Sequence, residues 1–215
     1  MPAASSLPLF PLPTVVLFPN VFLPLHIFEP RYRQMVSDAL NGDRMIGIVL
    51  LKPGFEAEYE GQPAVYDVGC SGLITHVERL PEQRFNIVLR GLEKFRIVAE
   101  DDPAGSSITY RRGLVTPLGD PLPADARDTL TTERRRLEAL LRPSIDRLGA
   151  ESPLPQAMPD DDLVNALAQY LEFEPIEKQA LLECDGPLAR CRAMIELLEM
   201  KALLDQFQGG PSEIH

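Results

Sequence analysis

Prolines decide how the first thirty residues can fold. Residues 7–28 are apolar enough for a membrane span or a secretory signal, yet Pro8, Pro11, Pro13, Pro19 and Pro24 all fall within them. Each removes a backbone N–H and clashes with the preceding helical turn, so no helix can run through the segment. No Lys or Arg precedes Arg31, so the positive flank of a signal sequence is missing too. The stretch is expected to be extended structure inside a folded domain. Together with Cys70, Cys184 and Cys191, which contain no CxxC pair, this points to a cytoplasmic protein with no membrane partner.

The same punctuation continues to about residue 118. Leu7–Leu12, Val15–Phe18 and Val21–Ile27 read as strands, with Pro24 confining the last to an edge or a bulge. Pro30 opens a helix in which Tyr32, Met35, Val36, Ala39 and Leu40 share a face, and Gly42 stops it. Met45–Lys52 reads as a buried strand, and residues 55–65 as a long loop without a period. Val68–Leu80, Arg84–Leu89 and Lys94–Val98 follow as a meander broken at Gly91, and Tyr110–Leu118 as a last strand. Six or so strands with one helix predict a closed or nearly closed small barrel.

Beyond the joint at Leu118–Pro123 the pattern becomes helical, and the charge shifts with it. Residues 1–118 carry 11 basic and 13 acidic side chains, residues 119–215 carry 10 and 19. Helices are expected over Ala124–Leu148, with Pro143 kinking or ending it, from Asp160 as a cap to about Phe173, from Pro175, and from Gly186-Pro187 to about Phe207. The expected architecture is therefore α+β: a mostly antiparallel β barrel over residues 1–118, then a helical subdomain over 119–215.

No catalytic constellation is visible. No Gly is followed by Lys, so there is no phosphate-cradling loop, and GxGxxG, HExxH and GxSxG are absent. His26, His76 and His215 lie far apart, and neither a metal nor a cofactor is expected. Cys70 and His76, an even number of residues apart, share a face of one strand, but six residues span roughly 20 Å, too far for a nucleophile and its base. Asp160-Asp161-Asp162 reads as a cap with dipole-favoured acids, and Arg134-Arg135-Arg136 as a solvated helix face paired with Glu133 and Glu138. The net charge of -11 argues against nucleic acid, whose binding displaces counterions with basic groups.

The stretch LPLFPLPTVVLFPNVFLPLHIFEPRYRQMVSDAL resembles the opening of the Lon protease N-terminal, substrate-binding domain. MIGIVLL at 45–51, VGCSGLITHVERLPEQRFNIVLRGLEKFRIV and EKQALLE at 177–183 are similar to its later strands and to one of its helices. The resemblance implies a PUA-like pseudo-barrel followed by helices, and Leu23 to Glu29 as fold-defining core and turn. It also implies recognition of unfolded or client polypeptides, with a protease or another protein as a further partner. The chain looks like a stand-alone N-domain, non-catalytic, without ATPase or protease modules. An RNA-binding PUA-like module and an unrecognised hydrolase are the alternatives. The best surface candidates are Phe55 and Tyr59, aromatic residues among Glu56, Glu58 and Glu60 in the 54–65 loop; the alternative is that both rings fold back onto the barrel rim.

Overall fold

The computed structural model describes residues 4–55, 62–101, 107–147 and 158–208. Tyr59, Glu56, Glu58 and Glu60 lie outside them. The described residues form two compact units. One comprises residues 1–120 with 165–183, the other residues 121–164 with 184–215.

The first unit holds the sheet: β1 (Ser5–Leu12), β2 (Phe22–Ile27), β3 (Met45–Leu50), β4 (Val68–Arg79), β5 (Phe85–Glu100) and β6 (Arg111–Pro117), with α1 (Pro30–Asn41) between β2 and β3. Strand order is β2-β5-β4-β3-β1-β6, and β6 returns to pair with β5. Five strands therefore close into a barrel, and β2 stands outside it. Only β1 and β3 pair in parallel among these strands. The architecture is α+β, with a mixed sheet.

β5 makes closure possible because it changes partners along its length. Phe85–Arg90 pair with β2, while Phe95–Glu100 pair with β6. Gly91, expected as a break, instead lies inside this continuous strand at the changeover. Its N–H donates to Val21 O at 2.8 Å, and its carbonyl accepts from Asn20 N at 2.9 Å. The Phe18–Asn20 turn thus rests on the strand where no side chain stands. β4 accommodates the bend with register shifts at Cys70/Gly72 and Ile74/His76. At the first, Ser71 Oγ donates to Glu93 O at 3.0 Å and accepts from Glu93 N at 3.3 Å. Inside the barrel, Phe95 packs with Leu7, Leu9, Val49 and Val115. Its ring occupies the space left by Gly47 and Gly69.

Three local expectations are corrected. Val15–Phe18 forms no strand; between Pro13 and Pro19 it is too short for a ladder, and it serves by burying Val16, Leu17 and Phe18. The bulges in β4 defeat simple alternation, so Cys70 is buried while His76 is exposed, and the two do not share a face. α2 (Arg127–Arg147) continues through Pro143 rather than ending there.

Residues 165–183 supply the end of α3 (Asp160–Tyr170) and α4 (Pro175–Glu183) to the first unit. Pro175 opens α4, and Glu177 reaches back to accept from Glu174 N at 2.7 Å. Gln179 is buried and donates to Val68 O of β4 at 3.0 Å. The backbone N–H of Phe18 likewise donates to Gln169 Oε1 at 3.2 Å.

The second unit contains α2, the start of α3 and α5 (Gly186–Gln208). Arg134 pairs with Glu138 at 2.8 Å and with Asp160, which also accepts from Thr131 Oγ1 at 2.5 Å. Asp160 therefore ties α2 to α3. Burial pushes its carboxyl upward, but the hydrogen bonds from Thr131 and Arg134 outweigh that and hold it below the usual carboxylate range. A depressed folded-state pKa means stability that is present above the unfolded-state value of about 3.9 and lost as pH falls through the folded one. Thermal midpoints measured from pH 6 downward should show the wild-type advantage over Asp160→Asn shrinking below about pH 4. An advantage constant down to pH 2.5 or so would remove this linkage.

Candidate functional site

The sequence–structure mismatch that matters lies on β2. Strand alternation buries Leu23 and Ile27 and half-buries Leu25, while Phe22, Pro24 and His26 face outward. Phe28 follows in the same phase. Phe22 is 51% exposed and Phe28 60% exposed. An outward face carrying two aromatic rings and a proline is not what solvent alone would select. Of the residues expected to be core between Leu23 and Glu29, those at even positions form a surface.

Below this row an apolar cleft of about 390 Å³ opens, lined by Phe10, Leu12, Leu25, Phe28, Tyr32 and Leu51 among others. Its walls come from β1, from the exit of β2, from α1 and from the residue following β3. Phe10 and Tyr32 meet in the wall with ring centroids 4.2 Å apart, and the Arg31 guanidinium covers Tyr32 at 4.5 Å. Glu29 at the rim is paired with Arg31 at 3.0 Å.

Polar side chains hold the mouth in place. His26 stacks beside Phe28 at 6.0 Å and is joined through Nδ1 to Asn86 Oδ1 at 2.8 Å. Asn86 in turn donates to Glu78 Oε2 at 2.7 Å. This chain crosses β2, β5 and β4, which are neighbours by register. At the other end of β2, the Tyr170 hydroxyl donates to Phe22 O at 2.9 Å while the residue stays 67% exposed. These bonds join His26, Asn86 and Glu78 at one end of β2 and Tyr170 at the other, and no Ser, Thr or Cys takes part in them.

Phe55 is half-buried; Tyr59 lies outside the described residues. Leu51 and Val65, which flank these positions in sequence, form an isolated antiparallel bridge, and Leu51 lines the cleft. Reading the sequence missed Phe22, Phe28 and Tyr170. The signal was available in part, since the alternation of Phe22, Pro24, His26 and Phe28 puts apolar groups on both faces of one strand.

Two other groups among the described residues are less suited to a ligand. On the second unit a depression lined by Glu133, Arg136, Arg192 and Glu199 is occupied by its own ion pairs, Arg136–Glu199 at 2.6 Å and Arg192–Glu133 at 3.0 Å. Cys70 and Cys191 are buried, and burial pushes the Cys191 thiol up to about 12, so it is no nucleophile. Among the described residues no three His, Cys, Asp or Glu side chains are grouped to hold a metal, and no helix is long and apolar enough to cross a membrane.

The family model of the ATP-dependent protease La (LON) substrate-binding domain matches residues 6–200. The chain belongs to that family. The Lon protease of Trichlorobacter lovleyi is 30% identical, over 96% of this chain and 26% of that protein. Lon protease 2 of Myxococcus xanthus is 27% identical, over 91% and 24%. The chain thus spans about a quarter of the length of these relatives. Among solved structures, the N-terminal domain of the Mycobacterium avium complex Lon protease superposes with a TM-score of 0.68 at 18% identity, covering 91% of this chain and 98% of that one. A Lon N-terminal domain protein from Xanthomonas campestris gives 0.59 at 24%, with the same coverage. Both likenesses are of fold. Within this Lon substrate-binding domain, the EKQALLE motif acquires a structural meaning: its Gln179 bonds the Val68 carbonyl and Glu183.

Proposed function

We propose that this Lon substrate-binding domain holds apolar segments of unfolded polypeptides, without catalysis of its own. The observation that carries this reading is the pairing of a lined apolar cleft with exposed rings at Phe22 on β2 and at Phe28 just after it. Exposed apolar rows of this kind are uncommon on surfaces without a partner. Phe55 and Tyr59, which lie in sequence between the cleft residue Leu51 and its bridge partner Val65, are proposed as additional contacts for the bound segment. Neither ATP hydrolysis nor peptide-bond cleavage is expected of this chain, which has no phosphate-cradling motif and neither GxSxG nor HExxH.

Phe22→Ala with Phe28→Ala is expected to weaken binding of reduced, carboxymethylated α-lactalbumin by about 1–3 kcal/mol, the usual range for aromatic contacts. The thermal midpoint should scarcely move, because exposed rings contribute little to stability. Unchanged affinity, read by fluorescence anisotropy, would place the binding surface elsewhere. Phe55→Ala with Tyr59→Ala, measured alongside, tests the loop separately.

A further inference from the structure

A strand at the margin of a sheet ordinarily invites another strand, because its unpaired N–H and C=O groups form a ready ladder. Among the described residues β2 is such a strand, paired with β5 on one side and with no strand on the other. Its phase can be read from its bonds. Val21 O accepts from Gly91 N, so odd positions turn toward β5. Phe22 O accepts from Tyr170 Oη, so even positions turn to the free side. Pro24 is therefore at an outward position, where its missing N–H costs the native sheet nothing. That same position lies at the middle of the ladder that the free side of β2 could offer an incoming strand. Phe22, Pro24 and His26 supply that ladder; its central donor is absent, and the Phe22 acceptor is already bonded.

Building on the polypeptide reading above, we propose that Pro24 and Tyr170 keep the free side of β2 closed to strand addition, so that a client segment is held by its apolar side chains in the Phe28–Tyr32 cleft and not through a backbone ladder. Recognition of this kind depends on side-chain size and apolarity and is indifferent to the client's amide hydrogens. The closure also protects the domain: an outward row bearing Phe22 and Phe28 beside an open ladder would pair with a second copy of itself.

The test has two arms. In the first, sedimentation velocity compares the wild-type full chain with Pro24→Val/Tyr170→Phe over a concentration series. The variant is expected to gain mass with concentration relative to wild type, with an unchanged circular dichroism spectrum. A folded variant that follows the wild-type masses overturns the closure. In the second, wild-type protein is titrated with a short fluorescein-labelled peptide bearing Phe and Leu at alternate positions, and with the same peptide N-methylated at alternate amides. Affinities within about twofold of each other are expected, and loss of binding on methylation, the signature of a ladder, overturns the proposal. This arm decides the matter even where the double variant does not fold. A peptide that binds in neither form counts against the polypeptide reading itself, and the mass comparison then judges the closure alone.

Discussion

Gly91→Ala is expected to destabilise the domain by about 3–5 kcal/mol, combining overpacking of about 1–3 kcal/mol with damage to two hydrogen bonds at about 1 kcal/mol each. A Cβ at this position would overlap the Phe18 carbonyl oxygen and crowd Leu17. Neither neighbour can yield cheaply. Phe18 is fully buried, and its turn is fastened to β5 through Asn20 N and Val21 O on either side of the glycine. The alternative to overlap is to lift the turn, which breaks both bonds and uncovers Leu17 and Phe18. For a chain of this size the thermal midpoint should fall by about 10 °C. A midpoint within a degree or two of wild type would mean that the turn does not sit on the strand as described.

The second large effect concerns the end of the barrel. Lys94 on β5 is 4% exposed, and its ammonium lies 2.9 Å from Asp120 Oδ1. Leu118 N donates to Lys94 O at 2.9 Å. The segment leaving β6 is thus held to β5 by a backbone bond and an ion pair shielded from water. Asp120→Ala leaves a buried ammonium without its carboxylate, an arrangement that typically costs about 3–5 kcal/mol. Replacing both groups, Asp120→Ala with Lys94→Met, is expected to recover much of the loss, since the desolvated charge goes with its partner. Chemical denaturation of the two variants separates the outcomes. A double variant as unstable as Asp120→Ala alone would show that the pair matters through packing and not through charge.

These two sites also show where reading the chain stops. Gly91 is marked in the sequence as a break, because glycine weakens a strand that has nothing against it. What the sequence does not carry is that residues 18–20 lie on top of it, and this contact turns a weakness into a requirement. Asp120 likewise reads as part of an exposed joint, and only the fold brings Lys94 to it.

The cleft follows the same logic. Prolines within an apolar run exclude a helix, Pro30 marks the start of α1, and the side-chain spacing in α1 puts Tyr32, Met35, Val36, Ala39 and Leu40 on one face, of which the first four are buried and Leu40 is half-buried. All of these rest on interactions within a few residues, which a sequence states directly. The order of motifs likewise sufficed to place the chain in the Lon substrate-binding family. Period-two alternation in β2 separates Phe22, Pro24, His26 and Phe28 from Leu23, Leu25 and Ile27, but it cannot say which set is covered. That depends on which neighbour reaches each face. β5 sits beside β2 across more than sixty positions of chain, from Phe22 to Arg90, and Tyr170 reaches the Phe22 carbonyl from 148 residues away. Loop closure over such separations leaves no local trace, so the sequence determined the first helix, the family and most of the strands, though neither the strandless Val15–Phe18 nor the continuity of β5 through Gly91. Tertiary pairing alone decided that an aromatic row would stay outside the barrel and that its strand would face a free margin.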